Sequence, residues 1–497
     1  MNSTFWPKIY RLLPVASLIM MVHFPARAVP GSHFIAGTKP DIANDKTPLP
    51  GESIVGVNGD PSLLATAEDL NREGESRLAA KDYQGAVAAF SEAIRLNGNY
   101  GDAYRNRGIA RSLLGDLDGA VADYTKAIEL NPQDAEAYYN RGNADYSLGN
   151  TERALSDYDR AIYLNGNDAQ FYYNRGVART KKGDAEGALG DYDKAIALNP
   201  EYGDAYLNRG NLHYKAGLLE QALADYNQAI EMNQANSLAY YNRANVRYKL
   251  GNTDLAIADY TKAIELQPNL DRAYYNRGVA KARKGDLDGA IADYTTAIEI
   301  NPQAPEPYYN RGVANANKGF PDRALADYTK AIDINPQYAL AYYNRGLLYS
   351  QLGNLDNALA DFTVAISLNQ NYTEAYNNRG VTHYNMGDTT SALADFNRAI
   401  EINPTDAQSY YNRGLAWATQ SNLEDAIDDF SAAIRLDPEF AEAYGNRGIA
   451  RVQLGDYTGA IGDTEKAAEI FQQRNDTANY QRAQDFLQKL RVGQNHS

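Results

Sequence analysis

The chain has 497 residues, 48 Lys and Arg against 63 Asp and Glu, a net charge of −15, and no cysteine. An acidic excess of this size disfavours nucleic acid and anionic membrane surfaces as partners, because both are gripped through Lys and Arg. Without cysteine there is no disulfide and no lipid-modified thiol, which suits an oxidising compartment.

Residues 1–28 read as a secretory signal peptide. Lys8 and Arg11 precede the largely apolar run from Leu12 to Val22, and Ala26-Arg27-Ala28 offers a cleavage site before Val29. That run is shorter than the roughly 20 apolar residues of a spanning helix. An uncleaved anchor is the alternative, with Pro14 inside the run. Cleavage would remove three cations and no acid, taking the charge from −15 to −18 and leaving no integral membrane segment. The export signal places the protein in the periplasm or outside the cell. Residues 29–66 hold Pro30, Pro40, Pro48, Pro50 and Pro61 with little periodicity and read as a linker.

From 67 to 474 the chain repeats itself every 34 residues without insertion or deletion, in twelve units running from 67–100 and 101–134 to 441–474. The triplet Asn-Arg-Gly begins at 106 and returns at this interval to 446, with Ala244 once replacing the glycine. A fixed period of this length marks a solenoid. Asp271 can be numbered position 1. Tyr then stands at position 4 and Gly at position 8 in eleven units each, and Ala at positions 20 and 27 in all twelve. Position 24 is aromatic from Phe90 to Phe430, with Thr464 the exception. Small residues at 8, 20 and 27 let two helices approach, and the rings at 4 and 24 fill the space between them. The first helix is predicted over positions 2 to 14, ending at a Gly of position 15. Asp or Asn at position 16 (Asp82, Asp116, Asn150, Asp286, Asp456) is predicted to cap the second helix. Pro321 suits the first turn of that helix, and the Asn-Pro of positions 31 and 32 ends it. Residues 475–497 read as a capping helix and tail. The helix covers roughly Asp476 to Leu490, with Ala478, Ala483, Phe486, Leu487 and Leu490 apolar and Gly493 as its stop.

The pattern resembles the tetratricopeptide repeat (TPR), in which a large aromatic at 4, Leu at 7, Gly at 8, Ala at 20 and 27, an aromatic at 24 and Pro at 32 recur. The resemblance covers 67–474 and implies an all-α, right-handed α-solenoid superhelix of helix-turn-helix repeats, whose first helices line a concave groove. Position 7 departs from it, being Arg in repeats 2 to 12, and position 23 is Asp in the same eleven repeats. A buried charge needs a partner. The two columns therefore predict a ladder of ion pairs: Arg141 with Asp157, Arg175 with Asp191, Arg209 with Asp225, Arg243 with Asp259 and Arg277 with Asp293. Pairing within a repeat and pairing across a repeat interface are both open.

Metal or catalytic chemistry is not expected, and no cofactor. His213 and His383 share position 11, where packing is the simpler role. Asp116-Leu117-Asp118-Gly119 and its copy at 286–289 lack the later ligands of a calcium loop and read as helix caps. The functional surface is expected on the first helices, where the resemblance puts positions 2, 5, 6, 9, 12 and 13 in the groove. Position 6 is Asn throughout repeats 2 to 12 (Asn140, Asn174, Asn208, Asn242, Asn276 among them). This column is similar to the asparagine ladder of the O-linked N-acetylglucosamine transferase superhelix, and its amides could grip an extended peptide backbone or merely support local hydrogen bonds. Tyr139, Tyr241, Asn143, Asn211, Asn245, Tyr146, Tyr214, Tyr248, Lys215 and Lys249 share the predicted face and concentrate the candidate site in repeats 3 to 6. Position 5 is never Lys and position 2 is mostly acidic, which disfavours the carboxylate clamp of chaperone-binding TPRs. The expected function is a non-enzymatic scaffold or assembly factor with a protein or peptide partner. An envelope glycan-binding protein and the non-catalytic subunit of an enzyme complex are the alternatives.

Overall fold

The computed structural model describes residues 66–494, with side chains to 491. The signal peptide and the linker up to residue 65 lie outside the described residues. Those residues form 25 α-helices and no strand. They make two compact units, one ending at Asn269 and the other beginning at Leu270.

One repeat shows how the sequence makes the hairpin. The first helix, α13 (Asp271–Arg283), gives way to Gly285 at φ +85°, a left-handed residue that lets the chain reverse in three residues. The carboxylate of Asp286 then accepts the N–H of Gly289 at 2.9 Å and opens α14 (Leu287–Ile300). Where position 15 is not glycine the same conformation persists, at Lys81 (φ 62°) and Ser421 (φ 63°). The second helix stops at Asn301, whose side-chain oxygen accepts the N–H of Gln303 at 3.3 Å. This asparagine turn recurs in other repeats, as at Asn335 with Gln337 (3.0 Å), so position 31 does as much to end the helix as the proline after it.

The expected caps form at Asp82, Asp116, Asp286 and Asp456. Asn150 does not cap the helix Thr151–Leu164, because its amide donates to the buried carboxylate of Asp145 at 2.9 Å. Pro321 opens the helix Pro321–Ile334.

Packing within the hairpin is close. A Cβ built on Gly278 would lie 2.7 Å from the ring of Tyr294, so position 8 is where the ring of position 24 rests on the first helix. The alanines of positions 20 and 27 are almost wholly excluded from solvent, from Ala86 and Ala93 to Ala460 and Ala467. Within each unit, first helices also touch one another. In the N-terminal unit α1 (Ala67–Ala79) meets α3 (Gly101–Leu114), which meets α5 (Ala135–Ser147). In the C-terminal unit α13 meets α15 (Pro305–Asn317), which meets α17 (Ala339–Gln351). The second helices do not approach one another to the same extent.

The last repeat is closed by α25 (Thr477–Gln494), which packs on α24 (Tyr457–Gln473) through Ala483, Leu487 and Leu490. Two expectations are corrected here. The helix continues through Gly493, and Ala478, one turn before the buried stripe begins, is exposed. No helix of the described residues is long and apolar enough to cross a membrane.

Candidate functional site

Position 7 directly precedes the glycine of position 8, and its arginine is mostly buried in the hairpin. In repeats 2 to 12 each position-7 arginine meets the aspartate of position 23 in its own repeat, with Nη2–Oδ1 distances of 2.6–2.8 Å. A second bond from Nε makes the pairs bidentate: 2.8 Å for Arg141 to Asp157, 3.0 Å for Arg175 to Asp191, 3.2 Å for Arg209 to Asp225, and 2.9 Å for both Arg243 to Asp259 and Arg277 to Asp293. The remaining nitrogen reaches position 25 of the preceding repeat, as Arg141 to Thr125 (3.1 Å) and Arg175 to Asp159 (2.7 Å). Within each unit the arginine therefore both pairs in its own repeat and ties that repeat to the one before, as Arg311 does through Thr295 (3.0 Å). The guanidinium also lies over the tyrosine of position 4, 5.6 Å from the ring centre for Arg141 over Tyr138. Hydrogen bonding to Asp157 outweighs burial and holds Arg141 above its ordinary pKa.

Position 11 supplies a second donor to the same carboxylates. Arg111 reaches Asp123 at 2.8 Å, Arg179 reaches Asp191 at 2.9 Å, and Lys281 reaches Asp293 at 2.8 Å. His213 does more than pack. Its Nδ1 lies 2.9 Å from Asp225, and His383 has its Nε2 4.0 Å from Asp395. The signal was present in the sequence, since most units with Asp at 23 have Arg, Lys, His or Asn at 11.

The tyrosines expected to line the groove are largely core. Tyr241, Tyr214 and Tyr248 are buried, while Tyr139 and Tyr146 are half-buried. The position-5 ring packs against the ring of position 24, at 6.1 Å for Tyr139 with Tyr158 and 6.0 Å for Tyr241 with Tyr260. It also meets a ring of the following repeat, as Tyr139 with Phe171 at 4.7 Å. Burial pushes the Tyr214 hydroxyl up to about 12. Two of the position-12 tyrosines, Tyr146 and Tyr214, are lidded by the lysine of position 13 in the next repeat. Lys181 lies 4.6 Å from the ring centre of Tyr146, and Lys249 lies 4.4 Å from that of Tyr214. Lys215, which follows a repeat with Thr180 and no tyrosine at position 12, is exposed.

The asparagines of position 9 also serve the core. Asn143, Asn211 and Asn245 accept the hydroxyls of Tyr158 (2.7 Å), Tyr226 (2.9 Å) and Tyr260 (2.7 Å).

The column at position 6 is divided between structure and surface. Its amide nitrogen is spent on the preceding repeat: Asn174 donates to the Tyr139 hydroxyl at 2.6 Å and Asn208 to that of Tyr173 at 3.0 Å. Where position 5 is Leu207, Asn242 turns to Asn211 instead, at 2.9 Å. Asn140 follows a repeat with Arg105 at position 5, which pairs with Asp134 at 2.6 Å, and Asn140 itself makes no hydrogen bond to the described residues. Asn276 is buried at the start of the C-terminal unit. There the pattern continues with Asn310 to Tyr275 (2.9 Å), Asn344 to Tyr309 (2.6 Å), Asn378 to Tyr343 (3.1 Å) and Asn446 to Tyr411 (2.9 Å). In these four the side-chain oxygen accepts no bond from the described residues. None is among the side-chain atoms sealed from solvent without a partner, which are Asn315 Oδ1, Tyr328 Oη and Tyr338 Oη. The face thus presents amide oxygens, not the mixed donor and acceptor column that the sequence suggested.

Two family models match the chain. One, described as TPR repeat, matches residues 112–144, 142–183, 178–217, 280–319 and 322–353. The other, Tetratricopeptide repeat, matches 203–236, 237–270, 339–372, 373–406 and 407–440. Together they cover well over half of the chain. Similar solved structures include a chain of the APC/C hetero-tetramer Cut9-Hcn1, at 16% identity over 86% of this chain and 96% of that one, with a TM-score of 0.43. Yeast Tom70 is similar at 20% identity over 86% and 96%, with a TM-score of 0.36. YrrB, described as a TPR protein with an unusual peptide-binding site, is similar at 26% identity over 37% and 95%, with a TM-score of 0.34. No curated protein matches the chain. On the strength of the family models and the repeated hairpin, the chain belongs to the tetratricopeptide repeat family and is a protein-interaction scaffold.

Proposed function

We propose that this protein is an exported scaffold or assembly factor, acting without catalysis in the periplasm or outside the cell, and that it holds an extended segment of a partner protein along its first helices. The observation that carries this reading is the position-6 column. Asn174, Asn208 and Asn242 in the N-terminal unit, and Asn310, Asn344, Asn378 and Asn446 in the C-terminal unit, are each locked by the nitrogen to the preceding repeat, so the oxygen is held in one orientation with little rotamer entropy left to lose on binding. An extended main chain offers N–H groups at regular intervals to such a row, largely whatever its sequence.

The test is affinity capture from the native compartment with cross-links mapped onto the chain, using the parent, an Asn208→Ala/Asn344→Ala variant, and a Tyr173→Phe/Tyr309→Phe variant. The tyrosine changes remove the same two hydrogen bonds but leave both amide oxygens. Loss of the partner in the asparagine variant alone, with cross-links on the first helices, is the expected result. Equal capture by all three would put recognition elsewhere.

A further inference from the structure

In the C-terminal unit the row of amide oxygens runs beside three carboxylates. Glu306, Glu374 and Glu442 stand at position 2 of repeats 8, 10 and 12, one helical turn before Asn310, Asn378 and Asn446. The amide nitrogens of Asn310 and Asn378 also donate to the main-chain oxygens of Glu306 (3.2 Å) and Glu374 (2.8 Å), one turn back on the same helix face. Glu374 also adds to burial in raising the pKa of the Tyr343 hydroxyl.

None of the three carboxylates pairs with a cation or accepts a hydrogen bond among the described residues. Asn310, Asn344, Asn378 and Asn446 are 8, 6, 5 and 7% exposed, yet each keeps its unpartnered oxygen in reach of solvent. In repeats 8 to 12, positions 2, 5, 6, 9, 12 and 13 contain no Lys or Arg. Position 13, which carries Lys181, Lys215 and Lys249 in repeats 4 to 6, is Asn317, Gln351, Asn385, Thr419 and Gln453 here. The arginines of position 7 do not alter the balance, each being neutralised by its aspartate. This stretch is therefore rich in acceptors and carries only negative charge.

The row ends in a small cavity. Gly445 stands at position 5, where seven repeats have Tyr, and a Cβ built there would meet nothing within 4 Å. Ile449 and Phe471 give the space an apolar lining, Asn446 borders it, and Glu442 carries the only charge around it. At about 20 Å³ it has room for little more than a terminal methylene, so it offers an apolar contact beside one carboxylate and not a pocket for a whole side chain.

We infer that the first-helix face of repeats 8 to 12 takes an extended, cationic segment of a partner protein, its main-chain N–H groups on the asparagine oxygens and its Lys or Arg side chains on Glu306, Glu374 and Glu442. A neutral or acidic segment would cover these carboxylates and leave them without partners, which costs affinity. This rests on the groove reading proposed above and adds the charge of the occupant.

The experiment uses the chain from Val29 onward and three unstructured Gly/Ser-based peptides of equal length with regularly spaced Lys, Gln or Glu, followed by fluorescence anisotropy. The Lys peptide is expected to bind about tenfold more tightly than the Gln peptide, which is three solvent-facing ion pairs converted to affinity. The triple variant Glu306→Gln/Glu374→Gln/Glu442→Gln should lose that tenfold and keep its affinity for the Gln peptide. A control, Asp322→Asn/Asp356→Asn/Glu424→Gln, changes net charge equally on exposed second-helix positions and should keep the preference. Equal binding of Lys and Gln peptides, or equal loss in the control, overturns the inference while the groove reading stands. Failure of every peptide to bind overturns both.

Discussion

Replacing Asp361 by Ala should unfold repeat 9 more readily than any surface change of the same size. In that repeat Arg345 donates to Asp361 through Nε and Nη2, both at 2.8 Å, and to Thr329 of the preceding repeat at 3.0 Å. The two side chains are 16 and 7% exposed, and position 11 is Tyr349, so no second cation can take over. Asp361→Ala strands the guanidinium in the hairpin and should cost about 3–5 kcal/mol; Arg345→Leu strands the carboxylate and should cost about as much. The double variant Arg345→Leu/Asp361→Ala restores the apolar residue of the TPR pattern at position 7 and should lie within about 1 kcal/mol of the parent. The coupling energy would then be at least about 3 kcal/mol. Guanidinium unfolding followed by circular dichroism gives the global figure. Hydrogen exchange in α17 and α18 (Leu355–Leu368) gives the local one, which matters because a solenoid need not unfold in one step. If each single variant stays within about 0.5 kcal/mol of the parent, the pairs behave as surface salt bridges and the reasoning fails.

The hydroxyl of Tyr328 is buried without a partner, while that of Tyr158 donates to Asn143 at 2.7 Å. Tyr328→Phe should therefore be neutral or stabilising in thermal melts, and Tyr158→Phe should cost about 1 kcal/mol; the reverse order would refute it. Gly190 and Gly462 sit inside helices with nothing within 4 Å of a built Cβ, so Ala at either should stabilise by about 0.5–1 kcal/mol. Gly278→Ala, pressing on Tyr294, should instead cost about 1–3 kcal/mol, which denaturant midpoints would show. Burial raises the pKa of Asp204, so the folded state binds its proton more readily than the unfolded one, and this group's contribution to stability falls as pH rises from the ordinary carboxylate value through the raised one. Asp204→Asn should accordingly be more stable than the parent at neutral pH, with the difference vanishing below about pH 4. An advantage that persists in acid would contradict that account.

The sequence by itself determined the repeat, its period and the chemistry of its hairpin. A 34-residue recurrence leaves only one way for Ala at 20 and 27, Gly at 8 and an aromatic at 24 to be satisfied together, which is two helices packed face to face. The Arg and Asp columns were legible for the same reason, because their joint presence and absence in the units reports a contact that no single repeat could reveal. Tertiary structure decided what the first-helix stripe shows to a partner. Positions 5, 6, 9, 12 and 13 share one helical face, but that face lies partly against the next repeat, and periodicity cannot say where along its width the neighbour ends. Tyr139 and Tyr241 fall on the covered side, and Asn208 falls on the boundary, its nitrogen bonded to Tyr173. Asn344 sits at the same boundary, nitrogen on Tyr309 and oxygen free. Which end of an amide faces inward depends on whether position 5 of the preceding repeat offers a hydroxyl, as Tyr173 does, or none, as with Leu207, and that relation appears only once two repeats are stacked.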